Sequence, residues 1–145
     1  MTQNNKSKRH NKITGDFGEN ILEYFLSKNL FETAIIDYVG IDILAVHRKS
    51  KKRMGISVKS RSRTIERPKD GVLVPGSSYQ KIIEASRIFS FKPWICFIID
   101  KPGNNDGGEI FIFLISLNDL LDYYPQYKIG KDFTFSVGKK KYWKV

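Results

Sequence analysis

Apolar residues recur at helical spacing between residues 14 and 29, where Phe17, Ile21, Leu22, Tyr24 and Phe25 gather on successive turns. Thr14 or Asp16 can cap that helix and Asn29 can end it. Residues 32–38 are rich in strand formers, and Val39-Gly40 then turns the chain into Gly40-Ile41-Asp42-Ile43-Leu44-Ala45-Val46. A second strand carries Ile56-Ser57-Val58-Lys59 and ends near Arg61. The Pro- and Gly-bearing stretch 62–76 is loop, with a short strand at 72–74, and Ser77 or Ser78 opens a second helix running to Phe89. Residues 94–100 are almost continuously apolar, as in a strand buried on both faces. A turn-rich loop leads to a returning strand at 109–115, a short helix at 117–123 capped by Ser116, and one or two edge strands, at 133–137 and 141–145. The order α-β-β-β-α-β-β-α-β predicts an α/β fold in the broad sense, a mixed central sheet flanked by helices with a C-terminal β extension. No repeat divides the chain, so residues 13–145 are expected to form one domain behind a flexible basic arm, 1–12.

Within this pattern two positions break the apolar rule. Strand side chains alternate faces, so Asp42, Leu44 and Val46 share one side, as do Ser57 and Lys59 on the next strand. If Val46 pairs with Gly55 across a hairpin tip at 47–54, Asp42 lies directly opposite Lys59 and Leu44 opposite Ser57. A carboxylate and an ammonium set among Ile and Val cost free energy unless paired or ligated, and such a cost points to chemistry.

Charge sharpens that reading. The 145 residues carry 25 basic and 15 acidic side chains, a net +10, unevenly spread. Residues 47–69 hold ten cations against Glu66 alone, whereas 93–127 hold five acids against Lys101. Segregation of this kind builds a positive face suited to a phosphate backbone, or one that serves general solubility; on the first reading Arg48, Lys49, Lys51, Lys52, Arg53, Arg61 and Arg63 are the candidate nucleic-acid contacts. The lone Cys96 excludes an internal disulfide and reads as a buried, inert thiol. The polar N-terminus and the lack of a membrane-spanning stretch suggest a cytoplasmic protein with no membrane partner. No Gly-rich phosphate loop or serine–histidine motif is present, and His10 and His47 have no neighbour at metal-ligand spacing.

The series Gly15-x-x-x-Glu19-x-x-Leu22, Gly40-Ile41-Asp42 and Ser57-Val58-Lys59 resembles the PD-(D/E)XK nuclease superfamily, in its Holliday-junction-resolvase-like and restriction-endonuclease-like branches, over residues 13–100. The resemblance implies an αβββαβ core and metal-dependent cleavage of DNA, branched or otherwise structured DNA included. It implies Mg²⁺ or Mn²⁺ held by Asp42, by Glu19 directly or through water, and by the carbonyl of Val58. Lys59 would position or activate the attacking water and offset charge on the phosphate. A homodimer would supply two sites for two strands. Asp37 and Lys81 are auxiliary candidates. Ser57 departs from the pattern, which places Glu or Asp there. Either a carboxylate from elsewhere (Asp37, Glu23 or Glu84) substitutes, or the site runs on fewer ligands, or it is inactive.

Plainer readings exist for each residue. Asp16 and Glu19 have the spacing of a capping box. Asp42 can be a turn residue after Gly40, and Lys59 a strand-end lysine with its head in solvent. Lys81 can lie on a solvated helix face. Residues 139–143 can touch DNA through charge and stacking, or protect an edge strand. For the whole chain the alternatives are a catalytically silent DNA-binding module and a protein-interaction domain on the same fold.

Overall fold

The computed structural model describes residues 6–63, 71–101, 103 and 107–137. Its elements are α1 (His10–Lys28), β1 (Phe31–Tyr38), β2 (Ile41–His47), β3 (Arg53–Ser62), β4 (Val72–Val74), α2 (Ser78–Phe89), β5 (Lys92–Lys101), β6 (Glu109–Ser116), α3 (Leu117–Tyr123), a 3-10 turn (Pro125–Tyr127) and β7 (Phe133–Phe135). A five-stranded sheet runs in the order β1-β2-β3-β5-β6. Its neighbours are antiparallel except β3 and β5, which are parallel and joined by the crossover through α2. The expected α/β class and αβββαβ order are present, with β4 inserted before α2.

Both sheet faces are covered, which explains the unbroken apolar run of β5. On one side Leu22 and Leu26 of α1 pack on Ile43, Ala45, Met54, Ile56, Cys96 and Ile98. On the other, Ile82 of α2 and Leu117 and Leu120 of α3 pack with Ile95, Phe97 and Ile99. Each Leu, Ile, Met or Phe side chain among them contributes about 1.5–3 kcal/mol by leaving water. Cys96 is fully buried, and desolvation pushes its thiol far above the ordinary range, as an inert core residue requires.

Several expectations need correction. Helix α1 begins at His10, so part of the expected arm, residues 10–12, is helical. Thr14 and Asp16 therefore lie inside the helix: the Thr14 hydroxyl donates to the His10 carbonyl at 2.8 Å, and Asp16 pairs with Lys12 at 3.1 Å. The capping-box reading of Glu19 falls with them. Residues 10–14 include no helix breaker, so the helix extends as far back as its backbone can be satisfied. The C-terminal extension is not an edge of the main sheet. Strand β7 pairs with β4 in a two-stranded sheet of its own, set by Leu73↔Thr134. Stacking of Phe135 on Phe97, with ring centroids 4.0 Å apart, fastens that small sheet to the large one. The strand expected at 141–145 and the cations at 139–141 lie outside the described residues.

The hairpin register also differs by two residues. Val46 pairs with Arg53 and Leu44 with Gly55, not Val46 with Gly55. This register sets Met54 directly against Ala45 and Ile56 against Ile43, all four buried. An even slip preserves the facing of the side chains within the paired ladder, which stops at Ile43↔Ile56, short of Asp42, Ser57 and Lys59.

Candidate functional site

The paired ladder between β2 and β3 ends at Ile43↔Ile56, while β3 continues to Ser62 paired with β5 alone. Asp42 stands at the first position past that end. Its carboxylate oxygen Oδ2 accepts the Val58 N–H at 2.6 Å. One further step of the register would set Asp42 opposite Ser57, with Lys59 on the diagonal rather than directly across. An extended residue sends its N–H and C=O to the same edge of its strand, so the Val58 carbonyl opens onto the same gap.

The rest of the cluster arrives from four elements. Gly18 carries α1 so close to β3 that an added Cβ would lie 1.9 Å from the Ser60 hydroxyl oxygen. Glu19 follows it and is half-buried within reach of the Asp42 and Asp37 charges. Gly15, the glycine in the sequence motif, has open space at its Cβ; Gly18 is the one the packing needs. The β1 register shifts between Ile35 and Tyr38, and Asp37 sits in that irregularity, where its charge acts on both Glu19 and Asp42. Gly40, at φ +101°, brings the β1–β2 turn against α2, where a Cβ would lie 2.3 Å from the Lys81 carbonyl oxygen. The Lys81 charge in turn reaches Lys59.

Burial dominates the electrostatics. Desolvation raises Glu19 above the ordinary glutamate value, and the charges of Asp42, Asp16 and Asp37 raise it further, against a lowering by Lys12. Asp42 is raised by desolvation and by Asp37, opposed by the Val58 hydrogen bond and by Lys59. Lys59 is lowered by burial, supported by Asp42 and lowered further by Lys81. The cluster thus holds charges at a cost that a bound cation beside the carboxylates would relieve.

Other candidates are placed elsewhere. Glu23 accepts the Thr33 hydroxyl at 2.8 Å. Ser57 is 2% exposed, so the position where the family pattern has an acid is deep in the sheet. Residues 48–53 lie at the far end of the hairpin from Asp42, not beside it as their closeness in sequence to Lys59 suggests. Arg48 pairs with Glu32, while Arg53 lies over Phe91 and donates to the Ser90 carbonyl. Arg61 is exposed at the cleft end, whereas Arg63 is buried, its backbone N–H donated to Asp100 at 2.7 Å. Asp100, which ties the end of β3 to β5, had no sequence signal beyond closing an apolar run.

Among the described residues no three of His, Cys, Asp and Glu form a ready-made metal cluster. The donors present do fit a hard cation that takes one or two carboxylates and completes its shell with water and substrate phosphate, as Mg²⁺ does. Asp42, Glu19 and the Val58 carbonyl would hold it.

No family model and no curated protein matches the chain. Among solved structures it is similar to that of Hjc from Archaeoglobus fulgidus, described as a Holliday junction resolvase from an archaeal hyperthermophile. The TM-score is 0.45 with 14% identity, covering 68% of this chain and 88% of that one. The strand order and the crossover, rather than this likeness, carry the fold description. No helix among the described residues is long and apolar enough to cross a membrane.

Proposed function

We propose that this chain is a divalent-metal-dependent endonuclease that hydrolyses phosphodiester bonds in DNA. The observation that carries the reading is the convergence of Glu19 and Lys59 on Asp42 where β2 and β3 part, two desolvated carboxylates and a half-buried ammonium, with Glu19 and Lys59 each in the field of Asp42. When bound, Mg²⁺ or Mn²⁺ supplies Lewis acidity to a phosphate oxygen and a lowered pKa for water. The chain's own residues bind and orient. Asp42 is held by the Val58 N–H, so one oxygen is positioned and the other left to the gap. Lys59, its proton loosened by burial, stands where it can orient a water and meet charge developing on the phosphate. Lys81 adds a second cation at the rim. Symmetric cutting of two strands would take two copies of the chain.

Nicking of supercoiled plasmid in Mg²⁺ or Mn²⁺ tests the reading. Wild type should cleave, and D42A should lower the rate by about 100-fold or more, the scale of losing one preorganised electrostatic group. Cleavage that survives D42A would sink it. The buried serine at position 57 favours a second reading, a catalytically silent DNA-binding module. Wild-type binding without cleavage selects that module. In that case S57E, which puts the family pattern's acid at that position, should produce cleavage if the missing ligand is what silences the site.

A further inference from the structure

The cations at the end of the sheet remote from the cleft have no part in the proposed reaction. Strands β2 and β3 carry Asp42 and Lys59 at one end and meet through residues 48–52 at the other. Five residues separate Asp42 from His47 and six separate Lys59 from Arg53, which at 3.3–3.4 Å per residue puts the tip about 17–20 Å from the cleft. Other elements add charge to the same end. Lys92 opens β5 opposite Met54. Helix α1 ends beside the tip, where the Arg48 N–H donates to the Leu30 carbonyl, and α2 ends against Arg53, which reaches the carbonyls of Phe89 and Ser90. Lys28 and Arg87 lie in those last turns.

Lys28, Lys49, Lys51, Lys52, Arg87 and Lys92 are all exposed. The nearby acids are engaged, Glu32 with Arg48 at 3.3 Å and Asp119 with the Ser116 hydroxyl at 2.7 Å. Helix dipoles account for Lys28 and Arg87. They do not account for a loop in which every residue from 48 to 52 except Ser50 is cationic. That loop is also tied down: the Ser50 N–H donates to His47 Nδ1 at 3.0 Å, the Lys51 N–H to the His47 carbonyl at 2.9 Å, and Lys52 Nζ lies 4.3 Å from the Trp94 ring centre. A fixed array loses little entropy when it meets a regular row of anions.

We infer that this cationic end is a second phosphate-backbone contact, which takes the duplex arm of a DNA whose reacting phosphate lies in the cleft. The inference rests on the nuclease reading for the position of that phosphate. The spacing then sets a length, because 17–20 Å spans about five or six base pairs at 3.4 Å each. The substrate class is DNA with at least that much continuous duplex on one side of the reacting phosphate. Contact through phosphates reads no sequence.

Fluorescence anisotropy of the full chain in EDTA, with 4- and 16-base-pair duplexes, tests this against the variant K49Q/K51Q/K92Q. The variant should bind the long duplex about 10-fold more weakly, with its log–log salt slope reduced by about 0.9 for each phosphate that is no longer neutralised, and bind the short duplex as wild type does. Unchanged affinity and slope on the long duplex, or an equal weakening on both lengths, overturns the inference. So does binding of heparin that matches long-duplex binding and falls equally in the variant. If the triple variant does not fold, K49Q alone should still lower the slope by about 0.9. Absence of plasmid cleavage together with the expected length dependence would sink the nuclease and keep this contact, as that of a DNA-binding module. Cleavage together with an unaltered triple variant would do the reverse.

Discussion

Glu19 shows what the candidate site costs the fold. Burial and three neighbouring carboxylates raise its pKa, so the folded state holds the proton more tightly than the unfolded chain does. Its contribution to stability is therefore present in full below the ordinary glutamate range and lost as pH rises through the raised value. At neutral pH the ionised Glu19 opposes folding, and E19Q should raise the melting temperature of the metal-free protein. Solvent screening keeps the gain below about 1 kcal/mol. The gain should vanish near pH 3, where both side chains are neutral; a thermal melt at the two pH values checks the sign. On the proposed function, added Mg²⁺ should stabilise wild type more than E19Q, since the carboxylate that burdens the metal-free protein would then be a ligand. Lys59 is the complement, a half-buried cation partly supported by Asp42.

At the scale of elements, two close approaches build the cleft. Gly18 lets α1 lie against Ser60, and Gly40 lets the β1–β2 turn lie against α2. G18A should destabilise the protein by about 1–3 kcal/mol in urea denaturation, as overpacking does. Turning the Ser60 hydroxyl away would still leave the added Cβ 3.1 Å from the Ser60 Cβ, so α1 should shift off β3, carrying Glu19 with it, and cleavage should fall by more than the loss of folded protein explains. The strands around this cleft were legible from alternation and apolar runs, and β2, β4, α2 and α3 lie close to where the pattern puts them. The start of α1 was not legible. A polar stretch without a breaker carries no signal for where a helix begins, since that depends on what the backbone finds to bond. Nor was the hairpin register, because residues 46 and 53 or 46 and 55 pair with the same facing of side chains.

For the whole molecule, the Phe97–Phe135 stack joins the small sheet to the large one. F135A should cost about 3–5 kcal/mol, measured by urea denaturation. That is a large share of the roughly 5–15 kcal/mol that holds a typical domain. Cleavage per folded molecule should fall far less than in D42A, because Phe135 meets the rings of Phe97 and Phe113, which bear none of the proposed site's chemistry.

The amino-acid order by itself determined the α/β class, the element types and the polar pair on neighbouring strands, because periodicity and the cost of charge among hydrocarbon are local properties. It also marked Asp37 and Lys81 as residues to place. Only the tertiary structure decided that Gly18 rather than Gly15 sets the helix, that Asp42 meets the Val58 amide, and that the cations of residues 48–53 lie at the far end of the hairpin from the cleft. Those depend on register and on approaches between segments far apart in the chain. A single extended strand carries nearby sequence to opposite ends of a sheet, so Arg53, six residues from Lys59 on β3, comes to lie about 20 Å from it.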